Sequence, residues 1–333
     1  MLVRFKIGIT GGGGYIGESL AKRLSEAFDI KMLDVKEPHI VPAGCVFQPC
    51  DVRDCNAVTE CLSDVDLVIH AAIIQIPEIT EKKVMAYEVN VLGTQNICKA
   101  VKESARAKGM ILSSSWHTIG ESGIDGTVSE SFGYRPDKVE PRARLYTLSK
   151  IAQESIVRFY DESYDKTYGI VRMGTVLGQS MPAGTAANIF IEKALRGEAL
   201  TPFKHSMHRP MFFVDIADVT EAYMAFTKGI LNSEIPRSND SFFHIVNFFL
   251  PEPVTVLDLA RTVAESVREL SGQSLNPQVE VVDAGLESPF AAEDRMRIHG
   301  NVQKSINLLH VAPQTEVRES IDRIVRERLY RDT

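Results

Sequence analysis

The strand-like stretch Lys6-Ile7-Gly8-Ile9-Thr10 runs directly into Gly11-Gly12-Gly13-Gly14-Tyr15-Ile16-Gly17. Gly11, Gly14 and Gly17 fit G-x-x-G-x-x-G between a predicted strand and a predicted helix. Such a turn lets the backbone approach a pyrophosphate, which sits against free N–H groups at the positive end of the helix dipole. Four consecutive glycines could equally be a flexible turn. The next predicted strand, however, ends on Asp34, some twenty residues on, where a carboxylate can bond both hydroxyls of an adenosine ribose. Together the two signals point to a dinucleotide, and the acid favours NAD over NADP.

The rest of the chain fits the fold that such a turn opens. Residues 5–10, 30–34, 46–50, 65–70, 110–113 and 168–176 read as strands, with helical patterns over 17–27, 82–104 and 145–162. Parallel strands need crossovers, so this alternation predicts an α/β fold, a Rossmann-type doubly wound parallel sheet covered by helices on both faces. Beyond residue 176 the rhythm changes. A turn-forming stretch at 178–184 precedes a helix at 186–195 and an irregular run at 201–210. Strands at 212–214 and 242–246 flank a helix at 217–228, and amphipathic helices follow at 255–270 and 315–329. The expected division is an NAD-binding region 1–176, re-entered by 211–247, with a smaller substrate lobe from 177–210 and 248–333.

Composition excludes several alternatives. With 333 residues, 37 basic against 44 acidic side chains and a formal charge of -7, the chain has no block of Lys or Arg and is not expected to bind nucleic acid. No apolar run approaches the roughly 18 residues of a membrane span, and the N-terminal stretch lacks a secretory apolar core. A soluble cytoplasmic protein is the expectation. Cys45, Cys50, Cys55, Cys61 and Cys98 form no C-x-x-C pair, so reduced thiols are expected rather than disulfides or zinc. His205 and His208 have no acidic or cysteine partner at ligand spacing, and no metal site is expected.

Tyr146 and Lys150 stand four residues apart on a predicted helix and project from one face. An ammonium beside a phenol stabilises phenolate, making the tyrosine a usable acid or base. The Y-x-x-x-K spacing alone also fits two surface residues. Ser113, Ser114 and Ser115, however, follow the fifth predicted strand at its carboxyl end, where open α/β sheets bind ligands.

These residues together resemble the extended short-chain dehydrogenase/reductase family, in its NAD-dependent sugar epimerase/dehydratase group. The likeness runs over nearly the whole chain. Thr10 to Gly17 looks like the family's nucleotide loop and Asp34 like its ribose-binding acid. Asp51 with Val52 is similar to the pair beside the adenine, while His70, Ala71 and Ala72 resemble the motif lining the cofactor. Asn90 matches a helix asparagine, Ser115 the catalytic serine, and Tyr146 with Lys150 the catalytic dyad. The resemblance also implies that Tyr15, Ile16, Ser113 and Met173 face the cofactor.

On the substrate side, the resemblance implies roles for Asn188 near a diphosphate and Arg209 before a strand, and places Gln75, His117, Arg144 and Arg297 at the substrate. Departures exist: Phe203-Lys204-His205-Ser206 replaces a Gly-Asp-Gly turn, and Ala291 aligns with a diphosphate-binding arginine, leaving Arg295 and Arg297 nearby. Gln75 stands where 4-epimerases often carry lysine. Ser115-Trp116-His117 replaces the Thr-Asp-Glu of 4,6-dehydratases, which removes the acid and base that dehydration needs.

The implied activity is epimerisation at C4 of a nucleotide sugar through a 4-keto intermediate. The alternative is net dehydrogenation of a free sugar or sugar acid held by Arg144 or Arg209. A redox-silent NAD-binding regulator would need neither the tyrosine nor the lysine. A small anionic sugar is the expected substrate, since Arg142, Arg144, Arg209, Arg295 and Arg297 are expected beside it. The apolar stripe Leu148, Ile151, Ala152, Ser155 and Phe159 on the dyad helix fits a homodimer, because family members commonly pair that helix with its copy.

Overall fold

The computed structural model describes residues 4–238, 240 and 242–330, so the outer ends of the two expected regions lie outside the described residues. Seven strands form the central sheet: β1 (Lys6–Thr10), β2 (Asp29–Asp34), β3 (Cys45–Pro49), β4 (Leu67–His70), β5 (Gly109–Ser115), β6 (Thr167–Met173) and β7 (Ile245–Phe248). Their order is β7-β6-β5-β4-β1-β2-β3, and every pairing is parallel. Side chains alternate between the two faces of a strand, and here both faces are buried. Ile7, Ile9, Ile30, Met32, Ile69 and Val171 pack with α1 (Tyr15–Leu24) and, from farther along the chain, the helix Ile216–Leu231. Val68, Met110, Leu112, Tyr168 and Ile170 pack on the other face with α2 (Cys55–Cys61), α3 (Gly93–Glu103) and α4 (Arg144–Ser163).

A second core lies beyond the carboxyl ends of the strands. Trp116 meets Phe212 edge-on at 5.7 Å, and Phe212 stacks on Phe249 at 4.4 Å. Around them pack α5 (Ala186–Leu195), α7 (Val256–Leu270) and α8 (Val317–Leu329), with α6 the intervening Ile216–Leu231. Thr185 and Thr255 cap α5 and α7 through hydrogen bonds to the N–H groups of Asn188 and Asp258.

Several elements differ from expectation. The strand expected over 168–176 divides at Gly174, because Gly174 N–H bonds Phe248 while Thr175 N–H bonds Phe212. Thr175–Leu177 then pairs with Phe213–Asp215 outside the central sheet. The strand placed at 242–246 begins later, at Ile245. The helix expected over 82–104 is Lys83–Tyr87, a π-helical turn Glu88–Leu92, then α3. The fifth strand continues past Ser113, with Ser115 in register with Met173, and this brings Ser115 to the ligand edge of the sheet. No helix among the described residues is long and apolar enough to cross a membrane.

Candidate active site

Between the sheet edge and the second core lies a cleft of about 2110 Å³. One wall is built by the turn after β1. Gly11 has φ +72°, and a Cβ there would come within 2.6 Å of the Ala71 and Ala72 backbone. A Cβ on Gly17 would lie 2.1 Å from the Gly11 carbonyl, so the glycine lets α1 sit directly on the strand. Helix α1 has no side-chain cap, which leaves its first-turn N–H groups without a side-chain acceptor at the cleft. Asp34, at the end of β2, accepts the Gly13 and Lys36 N–H groups at 3.0 Å each. A dinucleotide needs N–H donors for its pyrophosphate and a carboxylate for its ribose, and these residues fit both requirements.

Tyr15, Ile16, Asp51, Val52, Ala71, Ala72, Ser113 and Met173 line the same cleft. Two expected cofactor contacts are placed otherwise. His70 is fully buried, its Nδ1 2.7 Å from Thr10 Oγ1 and its Nε2 2.9 Å from Thr94 Oγ1. Burial, aided by the charge of Lys150, pushes its pKa down to about 3, so it is a neutral strut behind the wall. Asn90 is also fully buried. Its amide holds the Ile74 backbone at 2.8 and 3.0 Å and donates to Ser149 Oγ at 3.0 Å, thereby fixing the chain after β4 against α4.

The residues expected to react meet where β5 faces α4. Tyr146 and Lys150 lie one turn apart, and Ser115 acts on the Tyr146 phenol in the direction that favours its ionised form. Lys150 Nζ donates to the Ser113 carbonyl at 2.6 Å, while Tyr223 donates to Ser113 Oγ at 2.7 Å. Burial pushes the Tyr146 phenol up to about 12, with Ser115 opposing. Burial also pushes Lys150 down to about 7, with Glu154 pulling the other way. Lys150 Nζ is 5.9 Å from the Tyr146 ring centroid and is engaged with the backbone.

On the substrate side, Gln75, His117 and Arg209 line the cleft, as does Arg142. Arg209 is 5% exposed and pairs with Glu140 and, at 3.4 Å, with Glu121. Arg142 donates to Glu140 at 2.8 Å. Three expected substrate contacts turn elsewhere. Arg144 is exposed at the start of α4, outside the cleft lining, and Arg297 is likewise exposed and outside it. Asn188 turns to Arg328, accepting a hydrogen bond at 2.8 Å. Arg295, expected nearby, pairs with Asp258 at 2.5 Å. The gathering of five arginines thus reduces to Arg142 and Arg209, both carrying carboxylate partners. The structure adds Lys193, which lines the cleft from α5 and donates to Thr201 at 2.8 Å. It also adds His205, whose buried Nδ1 has no hydrogen-bond partner among the described residues. Ile189, Phe190 and Lys193 occupy one face of α5 at i, i+1, i+4 spacing, the signal that could have found the lysine.

A parallel sheet ordered in this way, with serine, tyrosine and lysine beside a glycine-rich turn, defines an extended short-chain dehydrogenase/reductase. The model of the NAD dependent epimerase/dehydratase family matches residues 7–236. The chain belongs to that NAD-dependent family. It is 30% identical to a putative UDP-glucose 4-epimerase of Methanocaldococcus jannaschii, over 64% of this chain and 70% of the other. It is 29% identical to an NAD-dependent glucose-6-phosphate dehydrogenase of Haloferax volcanii, over 52% of this chain and 70% of that one. In fold it is similar to the UDP-glucose 4-epimerase of Thermotoga maritima solved with UDP-glucose, with TM-score 0.78, 18% identity and coverage of 98% and 99% of the two chains.

Proposed function

We propose that the protein is an NAD-dependent epimerase that inverts C4 of a nucleotide-linked sugar through a 4-keto intermediate. The observation that carries this reading is the meeting of Ser115, Tyr146 and Lys150 in one cleft with the glycine turn and Asp34. The first-turn N–H groups of α1 would hold the pyrophosphate and Asp34 the adenosine ribose. NAD, when bound, supplies a hydride acceptor and donor and, in its oxidised form, a positive charge that favours ionisation of nearby acids. Ser115 Oγ orients the sugar hydroxyl and the Tyr146 oxygen takes its proton. Lys150, tied to the Ser113 carbonyl, keeps that part of the helix against the strand. Enclosure of both reactants contributes through proximity.

A second reading is favoured by one observation. Asn188 and Arg297, expected at a diphosphate, do not line the cleft, which suits a smaller substrate. That reading is a net dehydrogenase of a free sugar, sugar acid or sugar phosphate, in line with the Haloferax volcanii relative. The purified protein should be given a panel of nucleotide sugars, sugar acids and sugar phosphates, with isomerisation and NADH absorbance both followed. Isomerised nucleotide sugar without net NADH supports the epimerase. Stoichiometric NADH with a free sugar or sugar acid replaces it with the dehydrogenase.

The proposed active form is a homodimer. Leu148 and Phe159 on α4 are 45% and 63% exposed and Leu92, just before α3, is 46% exposed, so the apolar stripe belongs to the outer surface rather than the core. Five free thiols suit the reducing cytoplasm as the proposed compartment.

A further inference from the structure

A phosphate is held by positive charge that no carboxylate of the protein has already neutralised. The arginines on the substrate side of the cleft do not meet that requirement. Arg142 donates to Glu140 at 2.8 Å, and the buried Arg209 pairs with Glu140 and, at 3.4 Å, with Glu121. Arg209 Nε has no partner among the described residues, yet that donor belongs to a guanidinium whose charge two carboxylates already meet. Arg144, Arg295 and Arg297 stand outside the cleft lining.

Lys193 is placed differently. It is half-buried on α5 and lines the cleft. Its Nζ donates to Thr201 Oγ1 at 2.8 Å, and it forms no ion pair among the described residues. The carboxylates near it in the chain are committed elsewhere, Glu192 to Arg328 at 2.6 Å and Glu198 to Arg196 at 2.6 Å. An ammonium has three hydrogens to donate, and Thr201 takes one. Thr201 also lines the cleft, and because its oxygen accepts from Lys193 its own hydrogen is left to donate. Ammonium and hydroxyl thus stand side by side on one wall.

The segment that carries Thr201 is fixed and free of acids. Leu200 N–H bonds the Gln278 carbonyl at 2.7 Å and Lys204 N–H the Val282 carbonyl at 2.8 Å, which pins residues 200–204 along a neighbouring segment. Residues 201–206 include no carboxylate, and Lys204 turns out of the cleft to Asp283 at 2.8 Å. The remaining acids on this side of the cleft, Asp137 and Glu287, are exposed, where water and salt screen them.

We propose that Lys193, with Thr201 beside it, binds the phosphate of the substrate, a task that the family resemblance would give to an arginine. An ammonium acts on phosphate as a point charge and suits oxygens that offer acceptors in several directions, whereas a planar carboxylate is better matched by the fork of an arginine. The assignment rests on the reading of this cleft as the substrate site of a sugar enzyme. Within that reading the phosphate belongs either to the diphosphate of a nucleotide sugar or to the monoester of a sugar phosphate. Helix α5 of the second core would then hold the anionic end of the substrate, while Ser115 and Tyr146 at the sheet edge hold the end that reacts.

Calorimetry on the full chain saturated with NAD tests this, with UDP and glucose 6-phosphate as the two probes. Lys193→Met keeps the aliphatic stem and removes the charge, and its NAD affinity should equal that of the wild type. It should weaken whichever probe the wild type binds by about tenfold or more, while Lys193→Arg, which keeps the charge, stays within about threefold. Lys204→Met removes an equal charge from a nearby exposed side chain and should change affinity by less than about twofold. Binding of UDP alone assigns the diphosphate, and binding of glucose 6-phosphate alone assigns the monoester. On a phosphate-bearing sugar that is turned over, Lys193→Met should raise KM about tenfold while kcat moves less than about threefold. Undiminished probe affinity in Lys193→Met, an equal loss in Lys204→Met, or a wild type that binds neither probe overturns the assignment. A loss in Lys193→Met without turnover on any sugar would sink the enzymatic reading and leave the phosphate site standing.

Discussion

Lys150 shows what the site costs the fold. Its ammonium is buried against β5, and burial brings its pKa to about 7 while the unfolded chain holds the same proton to about 10.4. Below pH 7 the folded state therefore carries an unfavourable charge, and stability rises with pH between the two values. Lys150→Met should stabilise the protein without NAD by up to about 5 kcal/mol below neutral pH, an advantage that fades by about pH 10. Urea unfolding at several pH values measures this. Glu121 has the opposite sign. Its carboxyl is held at about 2, so its contribution is present above about 4.3 and lost as pH falls through about 2. Glu121→Gln should cost about 3 kcal/mol at neutral pH and little in strong acid, read from the same titrations. Tyr146→Phe should lower kcat by roughly 10² to 10⁴ while NAD still binds, as fluorescence titration and steady-state rates would report. These three residues were all present in the sequence, yet only Tyr146 and Lys150 announced themselves, because their helical spacing is a local signal. Glu121 acquires its role from His117, Arg209 and Glu140, the last two supplied by other segments.

The contact between β1 and α1 is the element on which the proposed cofactor binding turns. Gly17→Ala sets a methyl 2.1 Å from the Gly11 carbonyl, so the helix must move away from the strand and its N–H groups away from the pyrophosphate. NAD affinity, measured by calorimetry, should fall tenfold or more, or at least about 1.4 kcal/mol. This element was legible because strand, turn and helix are contiguous in the chain. The same was not true of the segment 168–176, whose division at Gly174 depends on hydrogen bonds to Phe248 and Phe212, about forty or more residues farther on. Likewise the π-helical turn Glu88–Leu92 lies inside a stretch whose pattern reads as one helix. Local periodicity reports which side chains are apolar, and it does not report which carbonyl a given N–H will find.

Assembly and substrate choice belong to the largest surfaces of the protein. Phe159 and Leu148 stand exposed on the helix that carries the dyad, so the proposed dimer would brace that helix directly. Phe159→Glu should shift sedimentation toward monomer at micromolar concentrations, since a buried unpaired charge opposes association. A wild-type chain that stays monomeric across that range would remove the dimer. The cofactor half of the cleft followed from the chain itself, because its signals, Gly11 to Gly17, Asp34 and the Tyr146/Lys150 pair, are each confined to one strand end or one helix turn. The substrate half did not. Arg209 meets Glu121 across 88 residues, and Asn188 meets Arg328 across 140, so whether each side chain faces the cleft or a partner was set when distant segments packed. Charge can be counted along a chain, but its neutralisation is a matter of neighbours in space.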